Sequence, residues 1–507
     1  MSGNRTGTGV PLTGAPSTGA LRENALGVAG VVFLVMAAVA PLTGMIVVAS
    51  LAIALGNGGG MPVSFLLVVG VLLLFAVGYA QMSRQLVNAG GFYAFVVKGL
   101  GKTGGLVAGF IAMMGYNFFV AGAIGTSGFF LQEVVGSWGL HVHWYVWGLL
   151  SMFIAFALAS VGIDFSARVL GIALVLEVLI LLVFDVAVLL RHGLSFQVFS
   201  PEFLFTDMLG PGLLLAATGF LGFEATSLFS EEARDPLRTI PRATYVAICA
   251  IGFLLAFSTW AVVSAVGVAQ AKDVAMQHLE TGDLIFSLSV EYLGPALTRA
   301  MEVLLLISLF AALLAFHNAA TRYLFALGRA RVLPFWLAST SARGVPRRGL
   351  VINGLFGATV AGLFLLLLPQ VEPINALVPS MLGFGTLCIL VLQTLAALSI
   401  VVYFRVKRDP RWWKTFVAPG IGFLGLLGIV TMAIVNFPLL AGSDNFLVGL
   451  LPALLLVALA GGIGWGAWLK NHRPQVYARL ASDLEKIDPT DLDDAWSVEE
   501  RIAAQSA

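Results

Sequence analysis

Residues 216–244 read AATGFLGFEATSLFSEEARDPLRTIPRAT, and the reading of this stretch decides the fold. It opens as an apolar helix, but Gly219 and Gly222 interrupt it, the carboxylate of Glu224 follows at once, and Pro236 and Pro241 punctuate a charged turn beyond. Glycine weakens a helix by about 1 kcal/mol relative to alanine, so a glycine-spaced stretch is where a span unwinds. Unwound backbone at membrane depth is tolerated only where it is buried in protein or lines a cavity. A span broken in this way points to a binding site.

The rest of the chain agrees with a bilayer setting. Hydrophobic residues make up 59% of the 507 and charged residues 11%, whereas soluble domains carry about 25% charge. The formal net charge of +1 gives no electrostatic case for nucleic acid. Cys249 and Cys388 both lie in apolar runs, so neither a disulfide framework nor a metal cluster is expected. No Walker-type phosphate loop and no HExxH pattern is present, so no enzyme, cofactor or metal is expected.

A span needs about 20 apolar residues, and twelve such runs follow one another, near 25–55, 62–82, 105–135, 144–161, 167–190, 208–230, 243–266, 300–327, 350–368, 374–404, 416–440 and 447–469. This gives an all-α integral membrane protein of about twelve transmembrane helices. Arg84, Lys98, Lys102, Arg168, Arg234, Arg238, Arg242 and the basic clusters of 329–348 and 405–414 fall on one side; Arg191, Lys272 and Arg299 fall on the other. The asymmetry puts both termini in the cytoplasm. Residues 1–24, rich in Gly, Thr and Ser, read as a disordered tail and not as a signal peptide. Residues 471–507 read as an acidic cytoplasmic tail. Arginine outnumbers lysine and alanine is abundant, a composition of GC-rich bacterial genomes, so the expected location is a bacterial inner membrane. The connection 267–294 contains LIFSLSVEYL, expected as a short surface helix.

The first span carries a matching interruption, with Pro41 and Gly44 inside AAVAPLTGMIVVAS. Proline removes a backbone donor and clashes with the preceding turn. Paired interruptions in two halves of a membrane chain are the mark of an inverted repeat with a site at the midplane. A half-helix beginning there exposes N–H groups with positive dipole character, which favour an anion. The N–H groups of Thr43, Gly44 and Met45 are the candidates for a carboxylate, and the carbonyls of Pro41, Thr218 and Leu221 for an ammonium. A ligand with a carboxylate beside an amine meets both sets, which describes the backbone of an amino acid.

The segment GFEATSLFSEEARDPLRTIPRATY resembles the signature of the amino acid–polyamine–organocation permease superfamily. Gly222–Phe223–Glu224, Glu231–Glu232, Pro236 and Pro241 match it in order. GGFYAFVVKGLG at 90–101 and NAATRYLFALGRARVLP at 318–334 resemble the family's entry to the third span and the turn after the eighth. The resemblance covers essentially the whole chain. It implies a LeuT-like fold in which spans one to five (25–190) and six to ten (208–404) are inverted repeats and two spans (416–470) are appended. It also implies secondary transport of amino acids or related amines by alternating access. Pro41, Leu42, Thr43, Gly44 and Met45, with Thr218, Gly219, Phe220, Leu221, Gly222 and Phe223, would then form the substrate site. Phe220 or Phe223 would gate it, and Asn117 would face the substrate. The first span departs from the family's common Gly-Ser-Gly break, with Ala40-Pro41-Leu42-Thr43-Gly44 in its place.

Ionisable groups at membrane depth are costly and default to function. Glu177, in ALVLEVLILL of the fifth span, stands where some family members place a lysine that stands in for a sodium ion. It is the first candidate for exchanging a proton, and Glu224 the second, although Glu224 also reads as a tie between the broken span and the first. Sodium is less favoured because Ser308 is the one hydroxyl between residues 300 and 320. His317 reads as a packing histidine. The expected function is therefore proton-coupled amino acid uptake, with an exchanger or a polyamine carrier as the rival and a non-transporting membrane sensor as a rival from another class. The partners expected are a small amino acid, protons and the bilayer; the sequence leaves the oligomeric state and the substrate side chain open, although Phe118, Phe119, Phe220 and Phe223 favour a neutral one.

Overall fold

The computed structural model describes residues 26–480, except 87–90, 162, 231, 280, 342–343 and 439–445. The expected tails, 1–24 and the stretch beyond 480, lie outside these. Among the described residues every regular element is helical, apart from one isolated bridge between Leu26 and Ala233, and ten helices are long and apolar enough to cross a bilayer. Apolar side chains with all backbone bonds made inside each helix are the one open-ended way to satisfy polar groups in hydrocarbon.

The first span comprises α1 (Val28–Val39), a π-helical turn (Gly44–Ala49) and α2 (Ser50–Leu55). Then come α3 (Met61–Ser83), α4 (Phe92–Gly136), α5 (Trp144–Val161) and α6 (Ile163–Arg191). Helix α4 is kinked at Gly101, whose φ of 83° and ψ of 176° leave the helical region, so the amphipathic entry and the third span form one bent rod. Helix α7 (Leu209–Thr218) has only 10 residues and is followed by a 3-10 stretch, Phe223–Phe229. Helix α8 (Pro236–Val266) follows.

The connection after α8 is a hairpin of two short helices, α9 (Ala271–Gln277) and α10 (Leu284–Leu293). The sequence reading found only the second. It is not a surface helix throughout: Leu284, Ile285, Leu288 and Tyr292 are buried, because the hairpin packs down on the bundle. The remaining spans are α11 (Pro295–Arg329), α12 (Arg347–Leu367), α13 (Leu377–Val406), α14 (Ala418–Val435) and α15 (Leu454–His472).

Helices α4 and α13 approach along a glycine seam. A Cβ on Gly115 would meet that of Cys388 at 2.8 Å, and one on Gly122 would meet Leu382 at 2.8 Å. Small residues let membrane helices close on dispersion alone. The seam fixes α4 and α13 to each other, while the first broken span packs on α6, α8 and α11.

Outside the spans, the turn between α13 and α14 is held by Arg411, which reaches Asp409 at 2.7 Å and Gln81 of α3 at 2.9 Å. The Arg411 guanidinium holds the Asp409 carboxyl below its usual range. A depressed carboxylate contributes stability above its unfolded value of about 3.9, and that contribution is lost as pH falls through the folded value. Asp409→Asn is expected to cost less than about 1 kcal/mol at pH 7, read as a small drop in thermal midpoint. The gap from wild type should close as pH falls through the folded-state value of Asp409, below the ordinary carboxylate range; a gap that persists in acid would assign the loss to packing.

Candidate functional site: the two broken spans

The first break lies one residue earlier than the pattern Pro41–Gly44 implies. Helix α1 ends at Val39 and Ala40 turns left-handed, with φ 49° and ψ 77°. A residue before proline avoids the helical region, while proline itself suits the first position of a new helix, where no N–H is required. The strain of a left-handed alanine, about 1–2 kcal/mol, is therefore placed at Ala40. Gly44 is helical (φ −54°, ψ −40°), and its N–H donates to the Ala40 carbonyl at 2.8 Å. The open donors of the new half-helix are Leu42 and Thr43.

Both meet side chains from distant spans. The Leu42 N–H donates to Glu177 Oε2 at 3.4 Å, and the Thr43 N–H to Ser308 Oγ at 3.3 Å. Ser308 Oγ donates to the same Glu177 oxygen at 2.6 Å, and Thr43 Oγ1 bonds Ser308 at 3.1 Å. Glu177 is buried. A carboxylate on the opening turn of a half-helix is the favoured partner for its dipole. Met45 lies within the π-turn, its sulfur facing Thr259 Oγ1 at 3.7 Å; π-turns occur often at functional sites.

In the sixth span the α-helix stops at Thr218 and the chain tightens. Gly219, Phe220 and Leu221 N–H groups bond the carbonyls of Ala216, Ala217 and Thr218. Gly222 then takes φ 115° and ψ −25°, a conformation open to glycine, and its N–H donates to Glu224 Oε2 at 2.9 Å. A Cβ on Gly222 would lie 2.9 Å from that of Ala38, so the two breaks touch.

Glu224 acts as a tie, but its side-chain partners are on the third and tenth spans and not on the first. Tyr116 of α4 donates to Oε1 at 2.9 Å and Gln393 of α13 to Oε2 at 3.4 Å. Asn117 is committed to its own helix and to α12: its amide donates to Met113 O at 2.6 Å and accepts from Asn353 at 2.7 Å. His317 bonds Asn353 through Nδ1, while its buried Nε2 has no hydrogen-bond partner among the described residues. Phe220 and Phe223 turn to the second span, against Phe65 at 6.4 Å and Phe75 at 6.2 Å. Sequence reasoning missed Tyr116, Gln393 and Ser308 as partners. For Ser308 a signal existed, since a lone hydroxyl in an apolar eighth span needs a partner at the depth of Glu177.

A cavity of about 300 Å³ opens on the hairpin side of the breaks. Ile46 and Ser50 of the first span, Thr218 of the sixth, Phe129 of the third and Thr386 of the tenth line it, with the hairpin at its mouth. No carboxylate is among its described lining residues. On the opposite side, between Ala38, Tyr116, Gly222 and Phe229, the space shrinks to about 10 Å³, room for about one water. That side is sealed by the Tyr116–Tyr323 stack at 5.0 Å and by the buried ion pair of Arg322 with Glu232 at 2.7 Å. Backbone bonds close it further: Leu26 N–H donates to Glu232 O at 3.0 Å and Arg234 N–H to Leu26 O at 2.7 Å. Of the residues expected at the substrate site only Thr218 is among the described lining of the larger cavity, which begins at Ile46 in the first span, so the space for a small ligand lies beside the breaks, on the hairpin side.

The family described as "Amino acid permease" matches residues 30–477. The methylthioribose transporter of Bacillus subtilis is 25% identical over 77% of this chain and 83% of its own. The branched-chain amino acid permease BcaP of the same organism is 24% identical over 74% and 79%. The low-affinity putrescine importer PlaP of Escherichia coli is 24% identical over 54% and 61%.

Proposed function

The chain belongs to the amino acid permease family and is a multi-pass membrane transporter, and on that premise we propose that it carries neutral amino acids by proton-coupled alternating access. The proposal assigns twelve spans, with 25–190 and 208–404 as inverted repeats, 416–470 appended, and both termini in the cytoplasm of a bacterium. On this reading the hairpin side is external and the sealed side internal. The substrate carboxylate meets the Leu42, Thr43 and Gly44 turn, and its amine the carbonyls around Ala40, Pro41 and the sixth-span break.

The observation that carries the coupling is the position of Glu177. Its Oε2 receives both the Leu42 N–H and the Ser308 hydroxyl, so its charge acts directly on the first residues of the half-helix. A neutral Glu177 holds those donors more weakly, through a carbonyl oxygen, than an ionised one does. Proton binding and substrate binding thereby act on the same backbone groups. The cavity supports a neutral substrate over a polyamine, because a dication would meet no carboxylate among the described residues of its walls.

Uptake into proteoliposomes of labelled leucine, valine, lysine and putrescine, under imposed pH or sodium gradients, tests the reading. Leucine or valine should accumulate when the outside is acidic, with or without sodium. Accumulation of putrescine in place of any amino acid would transfer the assignment to polyamines, and accumulation that follows sodium and ignores pH would remove the proton.

A further inference from the structure

The turn between α13 and α14 carries five cations and one carboxylate within residues 405–414. Two of the cations build the turn itself. Arg405 donates through Nη2 to the Asp409 carbonyl at 2.8 Å and to Thr415 Oγ1 at 2.9 Å, and its guanidinium lies over the rings of Trp412 at 4.5 Å and Phe416 at 5.3 Å. Arg411 takes both oxygens of the Asp409 carboxylate and ties the turn to Gln81 of α3. The Lys407 N–H closes on the Tyr403 carbonyl at 3.1 Å and the Asp409 N–H on that of Phe404 at 3.0 Å. The turn is therefore a braced platform, and its one carboxylate is already neutralised.

The other three cations have no such work. Lys407 has only the face of Tyr403, 4.6 Å from its Nζ. Arg408, left-handed at φ 53°, and Lys414 have no hydrogen-bond, ion-pair or ring partner among the described residues. All three are exposed. The bond from Arg405 to Thr415 holds the chain that carries Lys414 beside the end of α13 that carries Lys407. Val406, Trp412 and Trp413 stand in the same turn and are 78%, 59% and 57% exposed. Indoles at the end of a membrane span sit at the level of the lipid headgroups, and basic side chains there reach outward to the same level.

We infer that the α13–α14 turn is a seat for the headgroup of an anionic phospholipid, with the phosphate among Lys407, Arg408 and Lys414 and the acyl chains running past Val406 and the two indoles. Guanidinium and ammonium groups are the phosphate-binding side chains. A zwitterionic headgroup would bring its own ammonium against three unpaired cations, so net negative charge is what the turn selects. A soluble phosphate would leave the apolar side chains uncovered. Because Arg411 reaches α3, a lipid held here braces three spans at once. The inference is independent of which substrate the protein carries.

The test is titration of the purified full-length protein, in neutral detergent, with phosphatidylglycerol or phosphatidylcholine, the bound lipid being read by native mass spectrometry. Each cation near an anionic lipid is worth about fivefold in affinity. Joint substitution Lys407→Gln, Arg408→Gln and Lys414→Gln should therefore weaken the tightest phosphatidylglycerol site about a hundredfold, leaving phosphatidylcholine weak and unchanged. The charge-keeping pair Lys407→Arg and Lys414→Arg should bind as wild type. Each glutamine substitution alone should cost about fivefold, a reading that survives if the triple variant does not fold. Glycerol 3-phosphate, a headgroup without chains, should not displace the lipid. Equal phosphatidylglycerol affinity in wild type and the glutamine variants overturns the seat, as does a wild type that holds phosphatidylcholine equally well. Displacement by glycerol 3-phosphate at the lipid's own affinity would overturn the lipid assignment and make the turn a site for soluble phosphate.

Discussion

Replacing Glu177 by glutamine is expected to abolish accumulation driven by a pH gradient while leaving substrate exchange in place. One proton descending one pH unit supplies about 1.4 kcal/mol, enough for about tenfold accumulation; the variant should equilibrate substrate and stop. Glutamine retains an oxygen that can accept from Leu42 N–H and Ser308 Oγ, so the half-helix keeps its partners and loses only the exchangeable proton. Paired measurements of gradient-driven uptake and counterflow decide the matter. Tenfold accumulation surviving in Glu177→Gln would take this residue out of the coupling, and Glu224 would be examined next.

Gly222→Ala is expected to have a large structural effect, because backbone strain and crowding coincide there. The backbone there stands at φ 115°, outside the regions an L-residue with a Cβ adopts at low cost. The new Cβ would come within 2.9 Å of Ala38 Cβ and 3.3 Å of the Val39 nitrogen. Strain and overpacking together cost about 2–5 kcal/mol, to be read as a fall in the thermal midpoint of the purified protein. Transport should be lost as well, because the methyl wedges apart the two breaks that form the site. A variant as stable and active as wild type would mean that the breaks do not touch in the working protein.

The broken sixth span, the interruption in the first and the depth of Glu177 were legible because each is written locally, as glycine spacing, a proline or a charge in an apolar run. What the local pattern left open was where each group points. Proline marked the first break, yet the left-handed residue is Ala40, since the constraint acts on the neighbour before it. Glu177 and Leu42 are separated by 135 positions, and no periodicity encodes which carboxylate meets which half-helix. The family resemblance implies Phe220 or Phe223 as a gate; the local pattern does not encode that their rings lie against Phe65 and Phe75 of the second span. The resemblance implies Asn117 as substrate-facing; its partner Asn353, 236 positions away on another helix, is not encoded in the local pattern. Short helix α9, AKDVAMQ, lacked the length that a helical pattern needs to declare itself.

The strand-like pairing of Leu26 with residues 232–234 also has a mechanical side. Its two backbone bonds join the chain just ahead of α1 to the segment just after the broken sixth span, and so fasten the two interrupted helices to each other at the sealed end. Any pull on the polypeptide ahead of Leu26 loads these bonds before it reaches the bundle. A tag, tether or fusion partner attached on that side is thus a lever on the sealed end.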